Sequence, residues 1–193
     1  NNLLKAIGGD SALSIFAITS RLFSSLNTPQ TGIMQGMQPV LGYNFGKMYY
    51  DRVQKTIAYS LSSSVIYGLF ICCLCLLFPA ALIGLLSNEP QIITEGQSAL
   101  RLMALACPLS GISMMVAAYF QSAGRAMEAF VITLGGILLV KLPVLLLSAS
   151  LLSLTGIWIS EAVSETILCI IALLMLRSHQ EKLVELERSR AAA

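Results

Sequence analysis

The sequence predicts an all-α protein, a polytopic bundle of transmembrane helices. Of its 193 residues, 56% are hydrophobic and only 11% are charged, whereas soluble globular domains carry about 25% charged residues. Several apolar runs reach the ~20 residues that a helix needs to cross the hydrocarbon core of a bilayer. The sequence lacks the ~10-residue alternating segments that are typical of membrane β-barrels. We therefore expect a helical membrane protein.

Five apolar runs predict five membrane-spanning helices. The first contains Pro29 and Pro39 and is longer than a bilayer requires, so it must tilt, kink at a proline or extend beyond the bilayer. A charged segment, residues 47–55, precedes the second run, and a polar segment, residues 87–97, follows it. A short polar turn ends the third run, and Ser153 separates the fourth from the fifth. The predicted spans are residues 9–46, 56–86, 98–120, 127–152 and 154–176. Residues 177–193 form a tail, either a short helix at the membrane surface or a solvated, frayed segment.

Lys and Arg fall mainly on one side of the predicted membrane. Counting on alternate sides gives 8 of them on one side, against Lys5 and Arg101 on the other. Because loops rich in Lys and Arg are cytoplasmic, we expect an external N-terminus and a cytoplasmic C-terminal tail. The expected location is a cell membrane, the inner membrane of a bacterium. An odd span number with an external start fits a chain preceded by a further helix. The eight basic residues are Lys47, Arg52, Lys55, Arg125, Arg177, Lys182, Arg188 and Arg190.

The composition gives no reason to expect an enzyme. The net charge is +2 and there is a single His, so neither nucleic-acid binding nor a histidine metal site is indicated. The sequence has no metalloprotease motif, no nucleophile elbow and no phosphate-binding loop, and we expect no cofactor and no metal. The cysteines lie in apolar runs, where this residue packs as a small hydrophobe, and we expect no disulfide. They are Cys72, Cys73, Cys75, Cys107 and Cys169.

A segment of glycines and amides stands out inside the first span. Gln35 and Gln38 would be costly in contact with lipid, so they should face protein or a water-filled cavity. The glycines form two small-xxx-small pairs on one third of the helical wheel, a pattern that permits close helix packing. Spacing alone leaves two alternatives open, a packing face and a cavity wall. The helix-packing candidates are Gly32, Gly36, Gly42 and Gly46.

Four ionisable residues lie within the predicted spans, namely Arg21, Lys141, Glu161 and Glu165. At 1.5 Å per residue, all four lie about 10–18 Å below the outer surface. Each alone in lipid would cost at least about 2.5 kcal/mol, so mutual pairing inside the bundle is expected. Glu161 and Glu165 are spaced i, i+4 and share one helix face. The group is therefore either a structural ion-pair cluster or a carrier of protons or cations.

These residues resemble a known family, the multidrug and toxic compound extrusion (MATE) transporters. Residues 119–125 are similar to the motif that closes the fourth helix of the C-terminal lobe in that family. Pro143 is placed like the fifth-helix proline, residues 156–158 resemble the start of the last helix, and Glu165 stands where the family often has an acidic residue. One segment, followed by Arg52-Val53, resembles the signature of the second helix in the C-terminal lobe of the family. That segment is Gly32-Ile-x-x-Gly36-x-Gln38-Pro39-x-x-Gly42-Tyr43-Asn44-x-Gly46.

The resemblance implies twelve helices in two lobes around a central cleft, with export of drugs or amphipathic cations in exchange for Na+ or H+. This chain would supply the last five of the six helices of the C-terminal lobe. Its partners would be membrane lipid, small cationic or drug-like substrates and an N-terminal lobe of the same protein. Met114 and Met115 are either adaptable ligand surface or plain packing. The full set of substrate-cleft candidates is Gln35, Gln38, Tyr43, Asn44, Met114, Met115, Tyr119 and Gln121.

The sequence also departs from the family pattern. The third span has no acidic residue, although some members carry a coupling carboxylate there, so the coupling ion cannot be carried over. Gly136 and Ile137 stand where the family often has Arg-Gln. Two alternatives remain: a lipid-linked-oligosaccharide flippase of related fold, for which only Arg21 and Lys141 are candidate cationic residues, and a non-transporting membrane assembly subunit.

Overall fold

The computed structural model describes the backbone of residues 2–191 and the side chains of residues 12–185. Within that part, the chain is helical throughout and contains no β-strand. The elements in order are α1 (Asn2–Gly46), α2 (Tyr50–Leu77), α3 (Pro79–Gly84), α4 (Pro90–Ala104), α5 (Cys107–Ser122), α6 (Ala126–Phe130), a π-helix (Val131–Lys141) and α7 (Leu142–Ala191).

Helix α1 continues through both of its prolines. Its 45 residues correspond to about 68 Å at 1.5 Å per residue, more than twice the ~30 Å of a hydrocarbon core. One face is buried and includes Gln30, Met37, Leu41 and Asn44. From Ala12 to Asn44 the helix therefore has buried residues that pack against the bundle, and its total length exceeds the thickness of a membrane.

The predicted third span, residues 98–120, is not one helix. Helices α4 and α5 meet at an angle of 44°. The break falls just before Pro108, which has no N–H to donate to the preceding turn and whose ring clashes with that turn's carbonyl group. Pro79 ends α2 at Leu77 for the same reason, so the predicted second span, residues 56–86, is also divided.

The chain reverses at Ser153, inside α7. This residue has φ 52° and ψ −128°, a conformation outside the helical region. Just beyond it, a Cβ on Gly156 would overlap the backbone of Ser148. The two parts of α7 are thus in direct backbone contact at the turn, which only glycine permits.

Hydropathy identifies candidate membrane crossings in the described part of the chain. Residues 50–77 and 126–185 contain 18-residue windows with mean hydropathy of 2.1 and 2.4, which is apolar enough to cross a membrane. Helices α4 and α5 are long and apolar enough only when taken together, as one bent span. The five-span topology stays a prediction, since α1 does not reach this hydropathy. The outer surface carries large apolar side chains such as Tyr59, Ile66 and Leu139, which are 68–77% exposed, as expected of a bundle in lipid.

Two apolar cores fill the bundle, one at each end. The first surrounds Leu22, Leu100 and Trp158, and the second surrounds Leu41 and Phe120. Between them lies the buried amide of Gln30, whose Nε2 donates to the carbonyl oxygens of Ser64 (3.4 Å) and Cys107 (3.2 Å). This amide joins three helices beside the α4–α5 break.

Close helix packing comes from other glycines than those predicted. A Cβ on Gly32, Gly36, Gly42 or Gly46 would meet no heavy atom within 4 Å, so in the described chain these four residues do not seat another helix. A Cβ on Gly68 would instead lie 2.5 Å from Pro108 Cα and 2.8 Å from the Cys107 oxygen. The helical wheel put these four glycines on one face of α1, but it could not show whether another helix packs against that face.

Substitution of Gly68 tests the packing of α2 on α5. We expect Gly68→Ala to lower the free energy of unfolding by about 1–3 kcal/mol, because the new methyl group meets backbone atoms that cannot rotate away. The measurement is thermal unfolding of the protein in detergent. Gly84→Ala, where the added Cβ meets nothing within 4 Å, is the matched control. Equal unfolding temperatures for the two variants would contradict this packing.

The tail is helical and partly buried, rather than solvated and frayed. Helix α7 continues to Ala191, and His179 and Leu183 are buried against the lobe. The Tyr119 hydroxyl lies 3.0 Å from His179 Nδ1, and the His179 ring also contacts Phe120. Burial lowers the pKa of His179 from its ordinary value of 6.5, and the guanidinium of Arg125 lowers it further.

This His makes stability depend on pH. The unfolded chain binds the proton more tightly than the folded chain, so the stabilisation is complete above pH 6.5 and decreases as the pH falls below it. We expect the unfolding temperature of the wild type to drop over that range. His179→Asn keeps an acceptor near Nδ1 but does not titrate, and its profile should be flatter. Parallel profiles would show that His179 does not contribute.

Candidate functional site

Lys141 lies between two carboxylates in the middle of the helical bundle. Its Nζ is 2.8 Å from Glu161 Oε1 and 2.7 Å from Glu165 Oε1. The structure thus brings together three of the four ionisable residues that the sequence singled out. Arg21, the fourth, is exposed on α1, and no ion pair joins it to this group among the described side chains. Its expected pairing with the cluster is therefore not found.

Three local features assemble this cluster. Lys141 is the last residue of the π-helix, and the two glutamates lie one turn apart on α7 after the break at Ser153. A Cβ on Gly136 would be 2.7 Å from a methyl group of Leu168, so the π-helix approaches α7 as closely as a glycine allows. This close approach puts the Lys141 side chain within reach of both carboxylates.

The two carboxylates differ in burial. The side chain of Glu165 is 7% exposed, whereas those of Glu161 and Lys141 are 33% and 31% exposed. Glu165 Oε2 is buried and has no hydrogen-bond partner. One ammonium and two carboxylates sum to one excess negative charge when all are ionised. A buried carboxylate oxygen without a partner is costly, and a proton or a monovalent cation would satisfy it.

Two cavities of about 350 Å³ each meet at Lys141. The first, which we call the aromatic cavity, is lined by Phe16, Trp158 and Glu161, among others. The second, the methionine cavity, is lined by Met34, Met114, Gln121 and Glu165, among others. Each carboxylate therefore faces a different cavity, and Lys141 borders both.

Five of the eight predicted cleft residues lie outside the core, exposed or half-buried. Gln38 Nε2 donates to Gln121 Oε1 at 2.9 Å, which joins α1 to α5. Gln35 and Tyr43 are exposed on α1, and Met114 lines the methionine cavity. The methionine cavity thus combines predicted cleft residues with the ionisable cluster.

The other predicted cleft residues lie in the core. Met115 and Tyr119 are 0% exposed, and Asn44 is 5% exposed. Asn44 Nδ2 donates to the Val40 oxygen at 2.8 Å, and Tyr119 contacts His179. In this structure these three side chains stabilise the lobe and do not reach either cavity.

Sequence reasoning overlooked three residues that shape this region. Gln30 was passed over although an amide next to Pro29 in an apolar span is a sign of a buried polar contact. Phe16 and Trp158, whose rings stack at 5.8 Å between centroids, were not connected because they lie far apart in sequence. Only tertiary structure brings these two rings together.

Removal of Lys141 should destabilise the protein more than removal of an exposed lysine. Lys141→Met leaves two carboxylates together, and we expect a loss of about 1–3 kcal/mol, less than for a fully buried pair because two of the three groups are partly exposed. Lys141→Met with Glu165→Gln should recover part of the loss. The measurement is thermal unfolding in detergent.

The control for this experiment is Lys55→Met. Lys55 pairs with Asp51 at 2.8 Å, but both side chains are at least 65% exposed, so the change should be within about 0.5 kcal/mol of zero. If neither Glu161→Gln nor Glu165→Gln rescued Lys141→Met, the cluster would not act as a paired unit.

Comparison with known proteins agrees with the fold and the family resemblance. The MatE family model matches residues 2–147. Multidrug export protein MepA of Staphylococcus saprophyticus is 26% identical over 185 residues, and MepA of Staphylococcus haemolyticus is also 26% identical. Each alignment covers 94% of this chain and 40% of the relative, so the chain spans about two fifths of the length of these proteins.

Solved structures share the fold. An outward-facing multidrug resistance MATE family transporter matches with a TM-score of 0.89 at 20% identity, over 95% of this chain and 42% of that one. An inward-facing multidrug resistance MATE family transporter matches with a TM-score of 0.84 at 20% identity, over 95% of this chain and 43% of that one. A transporter of the MOP superfamily from Pyrococcus furiosus, reported with a binding pocket of reversed polarity, matches with a TM-score of 0.87 at 19% identity, over 94% and 41%.

The family model covers most of the chain, in agreement with the all-helical fold and the apolar surface. The chain therefore belongs to the MatE family, whose members are multi-pass membrane transporters rather than enzymes.

Proposed function

We propose that this chain is the C-terminal lobe of a multidrug efflux transporter that exports organic cations in exchange for H+ or Na+. The observation that carries the proposal is the cluster of Lys141, Glu161 and Glu165, with an unpartnered oxygen on Glu165 at the methionine cavity. The staphylococcal relatives are multidrug export proteins, which supports the same activity here.

The exposed face of α1 supports a cleft shared with a second lobe. Gly32, Gln35, Gly36 and Tyr43 lie on that face and make no close contact with the rest of the described chain. Polar and small residues are poorly suited to lipid, so water, substrate or a second set of helices should cover them. A relative about two and a half times as long would have the residues to form that second set.

We propose that Glu165 binds the coupling cation. Its carboxylate is the more buried of the two and retains a free acceptor atom. The coupling ion then either protonates Oε2 or is coordinated by it. The excess negative charge of the cluster also favours cationic over anionic substrates, which distinguishes this proposal from a flippase of anionic lipid-linked sugars.

Transport in proteoliposomes tests this proposal. The complete protein that contains this chain is reconstituted, and dye movement is measured with an imposed gradient of either H+ or Na+. We expect one of the two gradients to drive transport in the wild type. Glu165→Gln should reduce the rate to that without a gradient, because it removes the carboxylate that is proposed to bind the ion.

The control is Glu181→Gln, which removes a carboxylate from an exposed ion pair with Arg177 and should leave coupling unchanged. Gradient-driven transport by Glu165→Gln at the wild-type rate would contradict a coupling role for Glu165. Absence of transport in the wild type under both gradients would instead indicate a non-transporting assembly subunit.

A further inference from the structure

A cavity with basic side chains lies at the end of the bundle that the distribution of Lys and Arg predicts to be cytoplasmic. Its volume is about 350 Å³, and it lies between the turn that joins α5 to α6 and the last part of α7. We call this space the basic cavity. Its lining includes Arg125, Glu128, Leu174, Ser178, His179 and Lys182.

The lining of the basic cavity carries one excess positive charge. Arg125 Nη2 pairs with Glu128 Oε1, so these two charges cancel. Lys182 is exposed, and no carboxylate pairs with it among the described side chains. Burial is the main cause of the lowered pKa of His179, and this ring is therefore neutral at pH 7. Arg125 and Lys182 lower that pKa further, against the opposing effect of Glu128, so both cations act on this space.

Hydrogen-bond donors for an anion remain available around the cavity. The Arg125 guanidinium has five N–H groups, and its contact with Glu128 involves Nη2 alone. The Ser178 hydroxyl makes no hydrogen bond within the described part of the chain, and the Lys182 ammonium adds three further donors. Guanidinium, ammonium and hydroxyl groups around one space match the oxygens of a phosphate.

The apolar surface next to these donors indicates what carries the phosphate. Four residues lie four positions apart in a row along α7, namely Ile170, Leu174, Ser178 and Lys182. The first two are 54% and 64% exposed, and they precede the charged end of the helix. A phosphate beside Lys182 therefore has exposed apolar surface within about 12 Å along the helix axis, which suits acyl chains and offers nothing to a free phosphate ion.

We propose that the basic cavity binds the phosphate of an anionic phospholipid between Arg125 and Lys182, with the acyl chains along Leu174 and Ile170. A lipid with one net negative charge, such as phosphatidylglycerol, cancels the excess positive charge of the lining. The bound lipid joins the α5–α6 turn to the end of α7 and so stabilises the folded lobe. Neither Lys141 nor a carboxylate of its cluster takes part, so this site is independent of the proposed transport function.

Titration with lipid tests this site in the complete protein that contains the chain. The detergent-solubilised protein is titrated with dioleoylphosphatidylglycerol, and the rise in unfolding temperature gives an apparent dissociation constant. We expect a saturable rise. Dioleoylphosphatidylcholine, whose headgroup has no net charge, should give a much smaller rise. Glycerol 1-phosphate, which has a phosphate but no acyl chains, should give none at the same concentration.

Three substitutions assign the effect to the basic cavity. Lys182→Gln should raise the apparent dissociation constant for phosphatidylglycerol about fivefold, the usual contribution of one basic residue near an anionic membrane surface. Lys182→Arg keeps the charge and should restore the wild-type constant. Arg177→Gln is the matched control, because Arg177 lies on the same helix but pairs with Glu181 and does not line the cavity. Both native side chains are exposed, so the variants should fold normally.

The pattern across variants and ligands decides the outcome. Equal constants for Lys182→Gln and Arg177→Gln would show diffuse attraction of anionic lipid to the tail and would overturn the site. The absence of a saturable rise in the wild type, or an equal rise with phosphatidylcholine, would overturn it as well. A Lys182-dependent rise with glycerol 1-phosphate, at the concentration at which phosphatidylglycerol acts, would identify a soluble phosphate compound and contradict the assignment to lipid.

Discussion

The arrangement of charges inside an apolar bundle constrains this lobe more than any other feature. Hydrocarbon cannot solvate an ammonium or a carboxylate, so Lys141, Glu161 and Glu165 have to satisfy one another. Their charges do not cancel, and one oxygen of Glu165 has no partner. The backbone around them serves this arrangement: the π-helix ends at Lys141, the chain reverses at Ser153, and Gly136 lets the two segments approach.

The rest of the lobe divides into a rigid part and an open part. Gln30 fixes α1 to α2 and α5 beside the helix break, and Tyr119 and His179 fix the end of α7 to the core. The opposite face of α1 is polar and makes few contacts. This open face is the one that the proposed function assigns to a cleft shared with a second set of helices.

Much of the fold and part of the site followed from local physical rules. Composition and the length of the apolar runs indicated the helical membrane class. The i, i+4 spacing put Glu161 and Glu165 on one helix face, and their similar estimated depth and opposite charge predicted the pairing with Lys141. The sequence did not predict which helix faces pack against other helices. Gly32, Gly36, Gly42 and Gly46 share a face of α1, but a Cβ on any of them would meet no heavy atom within 4 Å in the described chain. A Cβ on Gly68 would instead meet the backbone of Pro108.

Tyr119 was predicted to line a cleft, but the structure buries it. Its motif suggested a cleft, but the partner that buries it, His179, lies 60 residues later in a segment that the charge pattern describes as tail. The aromatic cavity was equally hidden, because Phe16 and Trp158 come from opposite ends of the chain. Pairings over such distances depend on how the helices are ordered in the bundle, and a single sequence does not contain that order in readable form.

The most direct measurement of the cluster is difference infrared spectroscopy of the complete protein. If Glu165 carries the coupling ion as a proton, lowering the pH should produce a carboxylic-acid C=O band that is absent in Glu165→Gln. If Na+ is the coupling ion, added Na+ should suppress that band or shift the carboxylate bands of Glu165. Identical difference spectra for wild type and Glu165→Gln, under every pH and Na+ condition, would contradict a cation-binding role for this cluster.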